Sequence, residues 1–69
     1  MDYRRRLREV REDRDFSQEE IGKLINKSQQ GYSHIENGRA ELKIEDLKVL
    51  CEFYQLSADY LIGRTDDCE

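Results

Sequence analysis

The sequence predicts an all-α domain of five short helices. Three observations carry that expectation. Apolar residues recur three and four apart in successive segments, the spacing of one helix face. Proline is absent and glycine occurs only four times, so little interrupts those segments. Ser17, Ser28 and Ser57 each stand just before such a segment, where a side-chain oxygen can accept from the first free helix amides. The chain has 69 residues, enough for one domain, expected over residues 1–64 with a polar tail over residues 65–69. Hydrophobic residues make up 36% against 41% charged, so folding depends on the periodic placement of the apolar residues rather than on their number.

The first helix is expected over residues 3–13, with Tyr3, Leu7 and Val10 as its buried stripe. Asp15 tolerates left-handed backbone and closes the helix, after which Phe16 turns into the core. The second helix, residues 18–25, opens on a capping box. Ser17 can accept from the amide of Glu20, and Glu20 can reach back to the amide of Ser17. Ile21, Leu24 and Ile25 form its apolar face. Gly22 lies inside the helix at a cost of about 1 kcal/mol relative to alanine, which implies close packing at that point. Asn26 ends this helix in the left-handed conformation.

The third helix is expected over residues 29–37, capped by Ser28 and stopped by Gly38. Tyr32 and Ile35 supply its apolar positions, with the Tyr32 hydroxyl reaching the surface. Gln29, Gln30, Ser33 and His34 leave the rest of it polar but almost uncharged, an unusual face in so charged a chain. The fourth helix, residues 44–54, places Ile44, Leu47, Leu50, Cys51 and Tyr54 on one side, with Phe53 off that stripe and available at the surface. A fifth, residues 58–63, is capped by Ser57, has Asp59 near its positive end, is buried through Leu61 and Ile62, and ends at Gly63.

Composition excludes several classes. No apolar run approaches membrane-spanning length, and the arginine-rich start lacks the apolar stretch of a secretory signal, so a cytoplasmic protein is expected. Cys51 reads as a small core residue and Cys68 lies in the tail. Two isolated thiols and one histidine form no metal pattern, and neither a metal nor a cofactor is expected. Catalysis lacks parts: there is no nucleophile with a base nearby, no phosphate loop and little room for a pocket. The net charge of −4 argues against indiscriminate nucleic-acid binding, but the charges are segregated. Arg4, Arg5, Arg6, Arg8, Arg11 and Arg14 crowd the first helix, while Asp59, Asp66, Asp67 and Glu69 make the far end acidic. The run Arg4-Arg5-Arg6 is either a phosphate clamp or a solvated helix start. Solvation is favoured, because three consecutive helix positions cannot all face one way.

The second and third helices, joined by a brief turn, form a helix-turn-helix arrangement. Each base pair shows the major groove a pattern of donors and acceptors, and glutamine carries both on one planar amide that can pair with adenine N6 and N7. Gln29 and Gln30 stand in the first turn of the third helix, the part that reaches base edges. Gly31 lets the backbone approach DNA or a neighbouring helix. Ser33 and His34 follow one turn on, within reach of a base or a phosphate. Gln18 begins the second helix, where amides and dipole attract phosphate.

These segments are similar to the Cro/repressor-type helix-turn-helix family, often called the Xre family, known from lambdoid phage repressors and many small bacterial regulators. The resemblance covers residues 4–63. It rests on Leu7-Arg8-Glu9-Val10-Arg11-Glu12-Asp13-Arg14, Phe16-Ser17-Gln18-Glu19-Glu20-Ile21 and Ser28-Gln29-Gln30. It continues through Tyr32-Ser33-His34-Ile35-Glu36-Asn37-Gly38, Leu50-Cys51-Glu52-Phe53-Tyr54 and Asp59-Tyr60-Leu61-Ile62-Gly63-Arg64-Thr65-Asp66. It implies a compact five-helix, lambda-repressor-like domain with the third helix in the major groove. It implies base contacts from Gln29, Gln30 and His34, and phosphate contacts from Gln18, Asn37, Arg39 and Lys43. It also implies an ion pair between Arg11 and Glu36, since Glu36 facing DNA would be repelled. Three departures stand out: Asn26 for the usual turn glycine, Lys27 for an inward apolar residue, and Leu42 for a frequent proline.

Sequence-specific binding of double-stranded DNA is therefore expected, by a bacterial or phage-type transcriptional regulator that represses rather than activates. It is expected to act as a homodimer on a palindromic operator, with contacts between copies around Phe53, Tyr60 and the tail. The alternative left open is an antitoxin-like or adaptor module, in which Phe53, Tyr54 and Tyr60 bind a protein partner on the same fold.

Overall fold

The computed structural model describes residues 2–62. It contains α1 (Tyr3–Asp13), α2 (Gln18–Leu24), α3 (Gln29–Glu36), α4 (Ile44–Tyr54) and α5 (Ala58–Leu61), with no strand among the described residues. The expected end of the last helix at Gly63 and the tail over residues 65–69 lie outside the described residues.

Caps set the helix starts. Asp2 accepts from the amide of Arg4 at 3.2 Å and opens α1. Both arms of the capping box on α2 are present: Glu20 N donates to Ser17 Oγ at 3.0 Å, and Ser17 N donates to Glu20 Oε1 at 2.9 Å. Ser28 accepts from Gly31 N at 3.0 Å, and Ser57 from Tyr60 N at 3.1 Å. The chain then leaves its helices through left-handed residues, Asp15 at φ 61°, Asn26 at φ 58° and Gly38 at φ 83°. Gln55, at φ 56°, performs the same role after α4, a position where no glycine or asparagine signals it.

The core joins all five helices: Leu7 and Val10, Ile21 and Ile25, Tyr32 and Ile35, Leu50 and Tyr54, and Leu61. α2 packs on α3, and α1 packs on both α3 and α5. The contact between α2 and α3 is close because Gly22 has no side chain. A Cβ there would lie 2.9 Å from the carbonyl oxygen of Lys27 and 3.1 Å from that of Ser28, both backbone atoms that cannot swing aside. This is the packing reason for a glycine inside a helix.

Four expectations need correction. The Tyr32 hydroxyl does not reach the surface: close packing of α2 on α3 draws the whole side chain inside, where the hydroxyl makes no well-formed hydrogen bond. Ile44 is 69% exposed, although Leu47 in the same turn of α4 packs against the core. Leu24, at the end of α2, is 38% exposed rather than buried. The third α1 arginine is not solvated. Arg6 is 3% exposed, donates from Nη1 to the carbonyl of Tyr60 at 3.0 Å, and lies 4.0 Å from the centroid of the Tyr60 ring. Arg14 does similar work at the other end of α1, donating from Nη1 to the carbonyl of Tyr54 at 2.7 Å. Two arginines of the basic helix thus satisfy carbonyl groups in the α4 and α5 region, which those short helices leave open.

Phe16 is half-buried and stacks on Phe53, with ring centroids 5.1 Å apart and a tilted geometry. Phe53 nevertheless remains 40% exposed. Cys51 is half-buried against the core, and burial pushes its thiol upward from the ordinary range.

Candidate nucleic-acid interface

The residues that position α3 come first. Glu36, in its last turn, has no exposed side-chain surface. Arg11 donates to it twice, Nε to Oε2 at 2.8 Å and Nη2 to Oε1 at 3.1 Å, and its third nitrogen donates to the carbonyl of Phe16 at 2.9 Å. Burial acts to raise the carboxyl, but hydrogen bonds led by Arg11 outweigh it and hold Glu36 below the usual carboxylate range. Donating to Glu36, an effect opposed by desolvation, raises Arg11 in turn. The only acidic residue of α3 is thereby drawn inward and neutralised.

Gln18 joins the same group, donating from Nε2 to Glu36 Oε1 at 3.2 Å. A carboxylate can only accept, so this contact fixes which end of the amide faces inward. One N–H of Gln18 is committed to Glu36, and the second remains for an outside acceptor. Asn37 donates from Nδ2 to Ser33 Oγ at 3.2 Å, leaving the serine proton free to donate outward. The amides of Arg39 and Ala40 both close on the carbonyl of His34, at 2.8 and 3.1 Å, which brings Arg39 back beside α3.

Together Gln18, Ser28, Gln29, Gln30, Ser33, His34, Asn37 and Arg39 line one open concavity of about 610 Å³. Gln29 and Gln30 are exposed at its lip, directly behind the Ser28 cap. The structure thus brings together every expected contact residue but one. Lys43 is exposed at the start of α4 and does not line this concavity. Gly31 is not required by packing within the chain, because a Cβ there would meet its nearest neighbour at 3.4 Å. The bond from Gln18 to Glu36 is not legible in the sequence, because it joins residues 18 apart on two helices whose packing alone brings them together.

The profile of the helix-turn-helix family matches residues 7–61, the span that includes the concavity and its supporting pair. The chain belongs to the Xre/Cro-type helix-turn-helix family. That family comprises DNA-binding transcriptional regulators and is not enzymatic. The chain is also similar to an uncharacterized HTH-type transcriptional regulator, YobD of Bacillus subtilis (strain 168), at 29% identity over 65 residues. The similarity covers 94% of this chain and 58% of that relative, so the chain spans less than two thirds of its length. No solved structure matches the chain. Among the described residues no helix is long and apolar enough to cross a membrane, and no group of three His, Cys, Asp or Glu residues could hold a metal ion.

Proposed function

We propose that this helix-turn-helix domain binds double-stranded DNA in a sequence-specific manner, with α3 in the major groove, and that it represses transcription from the sites it occupies. The concavity around α3 carries this proposal. Its lining is polar and rich in groups that both donate and accept, and the one carboxylate of α3 is withdrawn from it. Gln29 and Gln30 read base edges, with Ser33 and His34 one turn further along the same helix. Gln18, Asn37 and Arg39 hold phosphates, and Lys43 reaches the backbone outside the concavity. Repression needs only occupancy of a site, whereas activation needs a further contact with the transcription machinery. A location in the cytoplasm follows from a DNA target.

One recognition helix spans few base pairs, so a two-fold dimer on a palindromic operator supplies the specificity, with half-sites about 34 Å apart or a multiple of that distance. Phe53, 40% exposed and continuous with Phe16, offers apolar surface for a second copy. The same exposed ring is the observation that favours the second reading, an antitoxin-like or adaptor module that binds a protein through this side. Selection of bound duplexes from a randomised library, followed by footprinting, tests the proposal. Recovery of a palindromic site protected on both halves is expected. Failure to enrich any sequence overturns specific DNA reading and leaves the protein-binding module.

A further inference from the structure

We infer that Arg8, with Arg4 one turn before it, forms a phosphate-binding ridge on α1 that extends the DNA surface beyond α3. The inference rests on the DNA-binding reading above. The arginines of α1 have different fates in the fold. Arg6 is buried against Tyr60, and Arg11 is committed to Glu36 and Phe16. Arg5 is 72% exposed and paired with Glu9 at 3.2 Å on the same helix. Arg4 and Arg8, four residues apart, share the face that runs beside the end of α3.

Arg8 is the stronger member. Its side chain is 51% exposed, and its Nε lies 3.9 Å from Glu36 Oε1, beyond hydrogen-bonding distance. That same oxygen accepts from Gln18 Nε2 at 3.2 Å. The guanidinium of Arg8 and the amide of Gln18 therefore converge on one atom at the edge of the α3 concavity. The single negative charge of Glu36 is already matched by the two hydrogen bonds from Arg11. Among the described residues no other carboxylate lies within 4.0 Å of Arg8, so its positive charge is left for an outside anion. A guanidinium presents a planar fork of donors matched to phosphate, and Gln18 has one N–H remaining beside it. Arg4 continues the ridge. Its Nε and Cδ lie 3.4 and 3.5 Å from where a Cβ on Gly38 would sit, so the side chain crosses the point where the chain leaves α3. Its side chain is 23% exposed, and among the described residues its anionic neighbour is Asp2, 3.6 Å away and exposed.

The test is the salt dependence of affinity for a fluorescent random-sequence duplex, measured by anisotropy over graded KCl. Each phosphate contact contributes about 0.9 to the slope of log K against log salt. Arg8→Gln is expected to lower the slope by about that amount, so that a fourfold rise in salt weakens binding roughly threefold less than in the parent. Arg4→Gln added to Arg8→Gln lowers the slope further, and Arg5→Gln leaves it unchanged. Urea unfolding of Arg8→Gln is expected to match the parent, because the side chain is half-exposed and makes no hydrogen bond among the described residues. Parent binding with an unchanged slope in Arg8→Gln overturns this inference alone and leaves the DNA-binding reading standing. Absence of salt-dependent binding by the parent overturns both.

Discussion

Arg11 and Glu36 stand 25 residues apart and meet through two parallel hydrogen bonds, of 2.8 and 3.1 Å, with the carboxylate fully buried. The pair ties α1 to the end of α3 and so sets the angle at which α3 is presented. Taking one partner away leaves a charge in the interior without its match, which costs on the order of 3 kcal/mol. Arg11→Met is expected to destabilise by about that amount, and Arg11→Met with Glu36→Leu by clearly less. Urea unfolding of both variants, and of Glu36→Leu alone, measures it. Losses in Arg11→Met and Glu36→Leu that add up to the loss in the double variant would show that the pair acts as two independent side chains.

Gly22 makes a sharper prediction, because helix propensity and packing point in opposite directions. Alanine is better than glycine in a helix by about 1 kcal/mol. Its methyl group would nevertheless sit 2.9 Å from the carbonyl oxygen of Lys27 and 3.1 Å from that of Ser28. Overpacking of this kind costs about 1–3 kcal/mol. Gly22→Ala is therefore expected to lower the thermal midpoint. A rise would mean that the turn after α2 yields easily.

Tyr54 predicts how stability depends on alkaline pH. Burial, aided by the negative charge of Glu36, pushes its phenol from 10.0 up to about 12. In the unfolded chain the phenol gives up its proton first, so above pH 10 the unfolded state binds fewer protons than the folded one. Stability then falls as pH rises, and this contribution is gone above about 12. Tyr54→Phe has no proton to lose and is expected to flatten the decline, as read by urea midpoints from about pH 9 to about pH 12. Tyr32 and Cys51, which burial raises in the same direction, contribute to the part that persists.

Base reading and phosphate holding can be told apart by how affinity is lost. Gln29→Ala and Gln30→Ala are each expected to lose about 1–3 kcal/mol on the selected site and to relax the choice at one base position, most plainly at an adenine. Arg39→Ala and Lys43→Ala should weaken selected and random duplexes alike and reduce the salt slope by about one. If the glutamine variants lose affinity uniformly across sequences, they do not read bases, and the role of α3 proposed here fails.

Much of this architecture is local, and local structure is legible in a sequence. Ser17 and Glu20 are three residues apart, and their reciprocal bonds need no other part of the chain. The same holds for Ser28 and Ser57 as caps, and for Gly38 after α3. Periodicity alone marked Leu7, Val10, Ile21, Ile25, Ile35, Leu50 and Leu61 for the interior, where all of them lie. Gln29 and Gln30 could be singled out for the same reason, because the Ser28 cap fixes their place in the first turn.

Tertiary structure decided what local pattern could not. Arg4, Arg5 and Arg6 are consecutive and chemically identical, yet one crosses the end of α3, one is solvent-exposed beside Glu9, and one is buried under Tyr60. A long side chain with a charged tip can lie in water or reach a distant carbonyl, and the choice depends on which helix arrives beside it. Ile44 belongs to the apolar stripe of its helix but is left exposed, while Tyr32 is enclosed because Gly22 admits its helix so closely. The convergence of Arg8, Gln18 and Arg11 on Glu36 follows from the same cause. It needs three helices at fixed angles, and those angles come from the packing of side chains far apart in the sequence.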